Sequence, residues 1–151
     1  MAYRRILVPV DGSPTATAGL REAIGLAKSA GASLQVVHVV DYHSLAMAGL
    51  EAGAYIATLT TNLKASGQQI LKRAEELARK AGVPVTSVLV ESPGAPAADA
   101  IVRQAKKAKA DLIVLGTHGR RGVRRILMGS DAEQVVRSSP VPVMLVRSPG
   151  R

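Results

Sequence analysis

Strand-length apolar runs at about 4–10, 33–40, 84–90, 111–116 and 141–147 alternate with longer segments whose apolar residues return at helical spacing. This alternation limits the fold more than any other feature of the chain. A run such as Val36-Val37-His38-Val39-Val40 has no polar face, so it needs cover on both sides, as a parallel strand between two helical layers has. The segments between the runs supply that cover. Ala16, Leu20, Ala23, Ile24 and Ala27 share one helical face, and Gly31 offers a stop. Leu63, Ile70, Leu71, Ala74, Leu77, Ala78 and Ala81 do the same ahead of Gly82-Val83-Pro84. A third helix is expected from about Pro96 to Ala108, with Ile101 and Ala105 inward, and a fourth opens near Ser130 and carries Val135. The order βαβαβαβαβ predicts an α/β fold, a single doubly wound five-stranded parallel sheet with helices on both faces and right-handed crossovers. The stretch from Asp41 to Thr61 breaks the rhythm and reads as a loop with a helical turn around Leu45 to Leu50. It is either an ordinary surface excursion or a cover over the end of the second strand.

At 151 residues the chain is expected to form one domain over 1–151. It has no cysteine, which excludes disulfides, thiolate metal sites and a cysteine nucleophile. His38, His43 and His118 lack metal-ligand spacing. Met1-Ala2-Tyr3-Arg4-Arg5 runs into a strand-length apolar segment too short for a signal-peptide core, and no apolar stretch is long enough to cross a bilayer, so a cytoplasmic protein without a membrane partner is expected. Phe and Trp are absent and Tyr occurs three times, so a bound base would lie against aliphatic walls. The formal charge of +9 suits an anionic ligand. Arg120, Arg121, Arg124 and Arg125 are grouped, whereas the Lys and Arg from Arg103 to Lys109 read as a solvated helix surface.

Two segments carry chemistry. Leu112-Ile113-Val114-Leu115 ends in Gly116-Thr117-His118-Gly119; nine residues later come Gly129-Ser130, where a helix can start. Glycines let a backbone approach phosphate oxygens, and the N–H groups of a helix start attract them. Ile6-Leu7-Val8-Pro9-Val10 ends in Asp11-Gly12-Ser13-Pro14, which reads as strand, turn and helix, with Ser13 as N-cap and Pro14 in the first helical position. Ligands of parallel α/β sheets bind beyond the carboxyl ends of the strands, so Asp11 and the Gly116 loop are expected to face one pocket.

On Gly116, two residues, Gly119, nine residues, Gly129 and Ser130, the chain resembles the universal stress protein family, in the branch whose members bind ATP, and the resemblance covers essentially the whole chain. The resemblance implies strand order 3-2-1-4-5 and ATP, with magnesium, as ligand. The binding residues it implies are Pro9, Val10, Asp11, Val39, Leu115, Gly116, Thr117, His118, Gly119, Arg120, Gly129, Ser130, Asp131 and Ala132. Val10, Val39 and Leu115 would wall the adenine, Gly116 and Gly119 would admit the phosphates, and Gly129 with Ser130 would bind their distal part. By itself Asp11 reads best as a cap of the first helix; the resemblance points it toward a ribose hydroxyl or, through water, magnesium. Ser130 is also a candidate N-cap. The family often carries a further hydroxyl residue two places after the Gly-Ser, where this chain has Asp131-Ala132.

Other nucleotide sites are missing their signatures. There is no Gly-x4-Gly-Lys-Ser/Thr loop, no Gly-x-Gly-x-x-Gly and no His-x-Gly-His. No catalytic acid–base pair stands out, so a regulatory or stress-response ATP-binding module is expected rather than an efficient enzyme. The alternatives are a slow ATPase or phosphotransferase in the same pocket and, ranked last because stacking aromatics are nearly absent, a nucleic-acid-binding module. The run 141–147 alternates Val141, Val143, Leu145 with Pro142, Met144, Val146. It reads as an edge strand, and the resemblance implies a homodimer formed through it.

Overall fold

The computed structural model describes residues 2–42, 54–117 and 128–148. In chain order the elements are β1 (Arg5–Pro9), α1 (Pro14–Ala30), β2 (Ser33–Asp41), α2 (Ala54–Lys80), β3 (Val85–Ser92), α3 (Ala97–Lys107), β4 (Leu112–Gly116), α4 (Ser130–Ser138) and β5 (Val143–Val146). The strands form one five-stranded sheet in the order β3-β2-β1-β4-β5, and every pairing is parallel. This is the expected order.

Period-2 alternation divides the core into two layers. Ile6, Val8, Val10, Leu34, Val36, Leu112 and Val114 pack with Leu20, Ile24, Ile70 and Leu71 of α1 and α2. Leu7, Val37, Ile113 and Leu115 pack with Ile101, Ala105, Ala132 and Val135 of α3 and α4. Most residues expected on the inner faces of the helices are inside: Leu20, Ala23, Ala27, Ala74, Ala78, Ile101, Ala105 and Val135 are buried, whereas Leu63, Leu77 and Ala81 are half-buried.

Helix α1 starts as its sequence dictates. Ser13 Oγ accepts from the Ala16 N–H at 3.1 Å, and Pro14 opens the helix where its missing N–H leaves no bond unmade. The Asp41–Thr61 expectation needs correction, because α2 already begins at Ala54. Half-buried Ile56, Leu59 and Leu63 continue its inner face at helical spacing, which outweighs the weak helix propensity of the interspersed threonines. The turn expected around Leu45 to Leu50 lies outside the described residues.

Three helices end in the same motif. Ala32 N–H donates to the Ala27 carbonyl past Gly31, Val83 N–H to Ala78 past Gly82, and Ala110 N–H to Ala105 past Lys109. The residue in the turn is left-handed each time, with φ of 66° at Gly31, 77° at Gly82 and 52° at Lys109. A non-glycine residue in that conformation is strained by roughly 1–2 kcal/mol, while glycine loses more chain entropy on folding. Lys109→Gly is therefore expected to raise the unfolding free energy by about 0.5–1 kcal/mol, with an unchanged slope in a denaturant titration. An equal or lower midpoint would contradict this account of the turn.

Candidate functional site

The chain leaves β1 toward β2 on one side and β4 toward β5 on the other, so the sheet order reverses between β1 and β4. In open α/β sheets such a reversal leaves a crevice at the carboxyl ends of the strands. Two features of β1 leave ladder bonds unmade at that end. Val10 N–H donates to the Val37 carbonyl at 2.8 Å, so by alternation the Pro9 nitrogen faces β4, and proline has no hydrogen to donate there. The β1–β4 register is accordingly short, Ile6 with Leu112 and Leu7 with Ile113, against five aligned pairs between β1 and β2. On the β2 side, a continued ladder would have the Val39 N–H donate to the Val10 carbonyl. That bond is absent; His38 Nδ1 lies 2.8 Å from the carbonyl oxygen instead. A carbonyl can only accept, so Nδ1 carries the proton.

At the rim, Asp11 Oδ1 accepts from the Ser13 N–H at 2.9 Å and shapes the turn through Gly12, whose φ is 82°. Ser13 caps α1, and Asp11 braces the turn leading to it. On the β4 side, Thr117 is buried; its N–H donates to the Val146 carbonyl at 3.0 Å and its carbonyl accepts from the Gly129 N–H at 2.7 Å. That second bond brings the two halves of the glycine constellation side by side. Gly129 is the N-cap of α4 in extended conformation, with no side-chain cap. Ser130 is therefore the first helical residue rather than the cap, and it is exposed. Asp131 and Glu133 complement the positive end of the helix, while Ala132 is buried against the core. His118, Gly119, Arg120, Arg121, Arg124 and Arg125 lie outside the described residues, as does His43.

The proposed walls divide between the layers. Val39 and Leu115 belong to the α3–α4 layer. Val10 packs in the α1–α2 layer, 6% exposed, so its side chain does not join theirs, a correction that follows from strand alternation. Gly116 also has a structural reason to be glycine, since an added Cβ would lie 2.7 Å from the Thr15 carbonyl carbon and oxygen. A Cβ on Gly19 would meet the Gly116 nitrogen at 3.2 Å. These two glycines let α1 sit close against the end of β4.

Two residues at this end escaped the motif reading. His38 stands in an apolar run without metal-ligand spacing, and its bond to Val10 shows only once β1 and β2 are in register. Tyr42 follows the end of β2; its hydroxyl is buried with no hydrogen-bond partner among the described residues, and burial followed by the nearby Glu91 carboxylate raises its pKa. Glu91 pairs with Lys64 at 2.7 Å, a hydrogen bond that raises the lysine's pKa. No group of three or more His, Asp or Glu side chains is placed to hold a metal ion among the described residues. No helix among them is long and apolar enough to cross a membrane.

The fold is that of a doubly wound α/β protein in which a glycine-flanked helix start meets the carboxyl end of a central strand. Residues 2–147 match the model of the universal stress protein family, and the chain belongs to that family. It is 38% identical over 147 residues to a universal stress protein of Methanocaldococcus jannaschii, covering 97% of this chain and 84% of that one. The universal stress protein of Archaeoglobus fulgidus, solved in complex with dAMP, is 26% identical with a TM-score of 0.70, over 97% of this chain and 99% of that one. A universal stress protein solved in complex with cAMP is 26% identical with a TM-score of 0.69, over 98% and 99%.

The packing around Gly116 yields a test that needs no ligand. Gly116→Ala should lower stability by about 1–3 kcal/mol, because the new methyl meets backbone that cannot swing aside. Gly19→Ala should cost less, and Gly25→Ala, whose Cβ would meet nothing within 4 Å, should be neutral or stabilising by up to about 1 kcal/mol. Equal denaturation midpoints for Gly116→Ala and the unmodified protein would refute the close packing of α1 on β4.

Proposed function

We propose that this protein is an ATP-binding regulatory module of the universal stress protein family, acting in the cytoplasm as one domain over 1–151. The observation that carries the reading is the 2.7 Å bond from Gly129 N–H to the Thr117 carbonyl, which sets the start of α4 beside the end of β4 at the sheet's reversal point. First-turn N–H groups with no side-chain cap suit phosphate oxygens. The dAMP and cAMP complexes of two relatives support an adenine nucleotide as ligand.

In this reading the base lies against Pro9, Val39 and Leu115, with its edge on the Val39 backbone. The N–H there donates to adenine N1 and the carbonyl accepts from the N6 amino group. Asp11 takes a ribose hydroxyl or, through water, magnesium. The phosphates run along Gly116, Thr117, His118 and Gly119 to Gly129 and Ser130, with Arg120 nearby. Asp131 and Ala132 complete the first turn of α4, and the carboxylate of Asp131 disfavours a high phosphate charge unless the arginines offset it. Slow ATP hydrolysis in the same pocket is the alternative, and time-resolved ADP release separates the two. The homodimer is proposed through β5, an edge strand in which Leu145 is 37% exposed.

Mass spectrometry of the denatured protein should find a co-purified adenine nucleotide. By calorimetry, Ser130→Ala should weaken ATP about ten- to a hundredfold, the effect of losing a hydrogen bond to a charged group worth roughly 1.5–3 kcal/mol. Gly119→Val should weaken it as well. Wild-type affinity in both folded variants would reject the pocket. Leu145→Pro should convert a dimer to a monomer in light scattering while ATP affinity is retained; a monomeric unmodified protein at micromolar concentration would reject the interface.

A further inference from the structure

We infer that His38 is a positioning residue for the base subsite: by taking the Val10 carbonyl out of the β1–β2 ladder, it keeps the strands parted at their carboxyl ends and leaves the Val39 amide for the ligand. The inference rests on the nucleotide reading above. His38 makes no contact with the base in this account; it acts through the Val10 carbonyl.

Alternation fixes the geometry. The Val37 carbonyl faces β1, since it accepts from the Val10 N–H, and Val39, two residues on, faces the same way. The Leu34 N–H donates to the Pro84 carbonyl next to β3, so the even-numbered backbone groups of β2 serve the other neighbour. The next bond of the β1–β2 ladder would therefore join Val39 N–H to the Val10 carbonyl, and the His38 imidazole holds that carbonyl at 2.8 Å. Val39 N–H has no partner in the ladder.

The ring is held in place from helix α2. Gly67 is buried in the middle of that helix, and a Cβ there would lie 2.6 Å from His38 Cδ2 and 3.1 Å from Nε2. Glycine in a helix interior is less favourable than alanine by about 1 kcal/mol. The space it leaves is filled by the imidazole together with the end of the Leu89 side chain, whose Cδ1 would lie 2.7 Å from the same Cβ. Without a side-chain donor at 38, the Val10 carbonyl would be recaptured by Val39 N–H and the ladder would close by one bond. The donor–acceptor pair that matches adenine N1 and N6 would be lost. Guanine presents the opposite pattern at those positions, with N1–H donating and O6 accepting, so the same loss erases discrimination between ATP and GTP.

The experiment compares His38→Leu, which removes the donor; His38→Asn, whose amide nitrogen can stand where Nδ1 stands; and Gly67→Ala, which displaces the ring from above. Calorimetry with ATP, GTP and inorganic triphosphate is paired with amide hydrogen exchange on the ligand-free proteins. His38→Leu should weaken ATP about tenfold, the equivalent of one hydrogen bond. Its triphosphate affinity should hold, its ATP-to-GTP preference should collapse, and exchange of the Val39 amide should slow as that group enters the ladder. His38→Asn should behave like the unmodified protein, and Gly67→Ala should shift in the direction of His38→Leu. An unchanged ATP-to-GTP ratio in His38→Leu, or a parallel fall in triphosphate affinity, overturns the role. If His38→Leu does not fold, His38→Asn losing the preference, or Gly67→Ala keeping both the preference and the Val39 exchange rate, overturns it equally. An unmodified protein that binds none of the three ligands fails the nucleotide reading and this inference together. Binding with the wrong response to substitution fails this inference alone.

Discussion

Burial of both faces of the two central strands is the constraint from which the rest of the structure follows. Ile6, Leu7 and Val8 of β1 and Ile113 and Val114 of β4 are almost completely inaccessible. Neither face can be left to water, so helices must cover the sheet on both sides. Right-handed crossovers meet that demand only if the chain winds outward from the centre in two directions. The reversal point between β1 and β4 is therefore a by-product of satisfying the core. The reversal falls at the carboxyl ends of β1 and β4, where open α/β sheets leave a crevice.

Close approach refines this arrangement. Gly19 and Gly116 remove the two side-chain positions that would hold α1 away from β4. The backbone of α1 then reaches the rim of the crevice, and the Asp11–Ser13 turn that feeds it is locked by its own hydrogen bonds. A glycine at the end of a central strand thus serves helix packing before it serves any ligand. Phosphate access and tight packing call for the same residue at Gly116, and only the neighbouring Thr15 distinguishes the two reasons.

The elements were legible wherever a side-chain pattern decides the outcome. The face from Ala16 to Ala27, the Ser13-Pro14 start and the alternating cover of the strands are all local signals, and each appears as expected. The early start of α2 was not legible, because Ala54 to Thr61 is threonine-rich and its stability comes from the longer helix it extends. At the site, pairing Gly116 with Gly129 needed only spacing. Placing Val10 on the opposite face from Val39 needed alternation carried through β1, with Val10 following Ile6 and Val8. The role of His38 needed more still, because it depends on the register between two strands and on a glycine in a third element.

Proline in a central strand is ordinarily a defect, since it removes a donor from the ladder. Pro9 sits at the end of β1 with its nitrogen turned toward β4, and the register between those strands stops short of it. That missing hydrogen leaves β1 and β4 one bond short at their carboxyl ends whatever lies beyond them, a gap written into the covalent structure of the chain and not into its conformation.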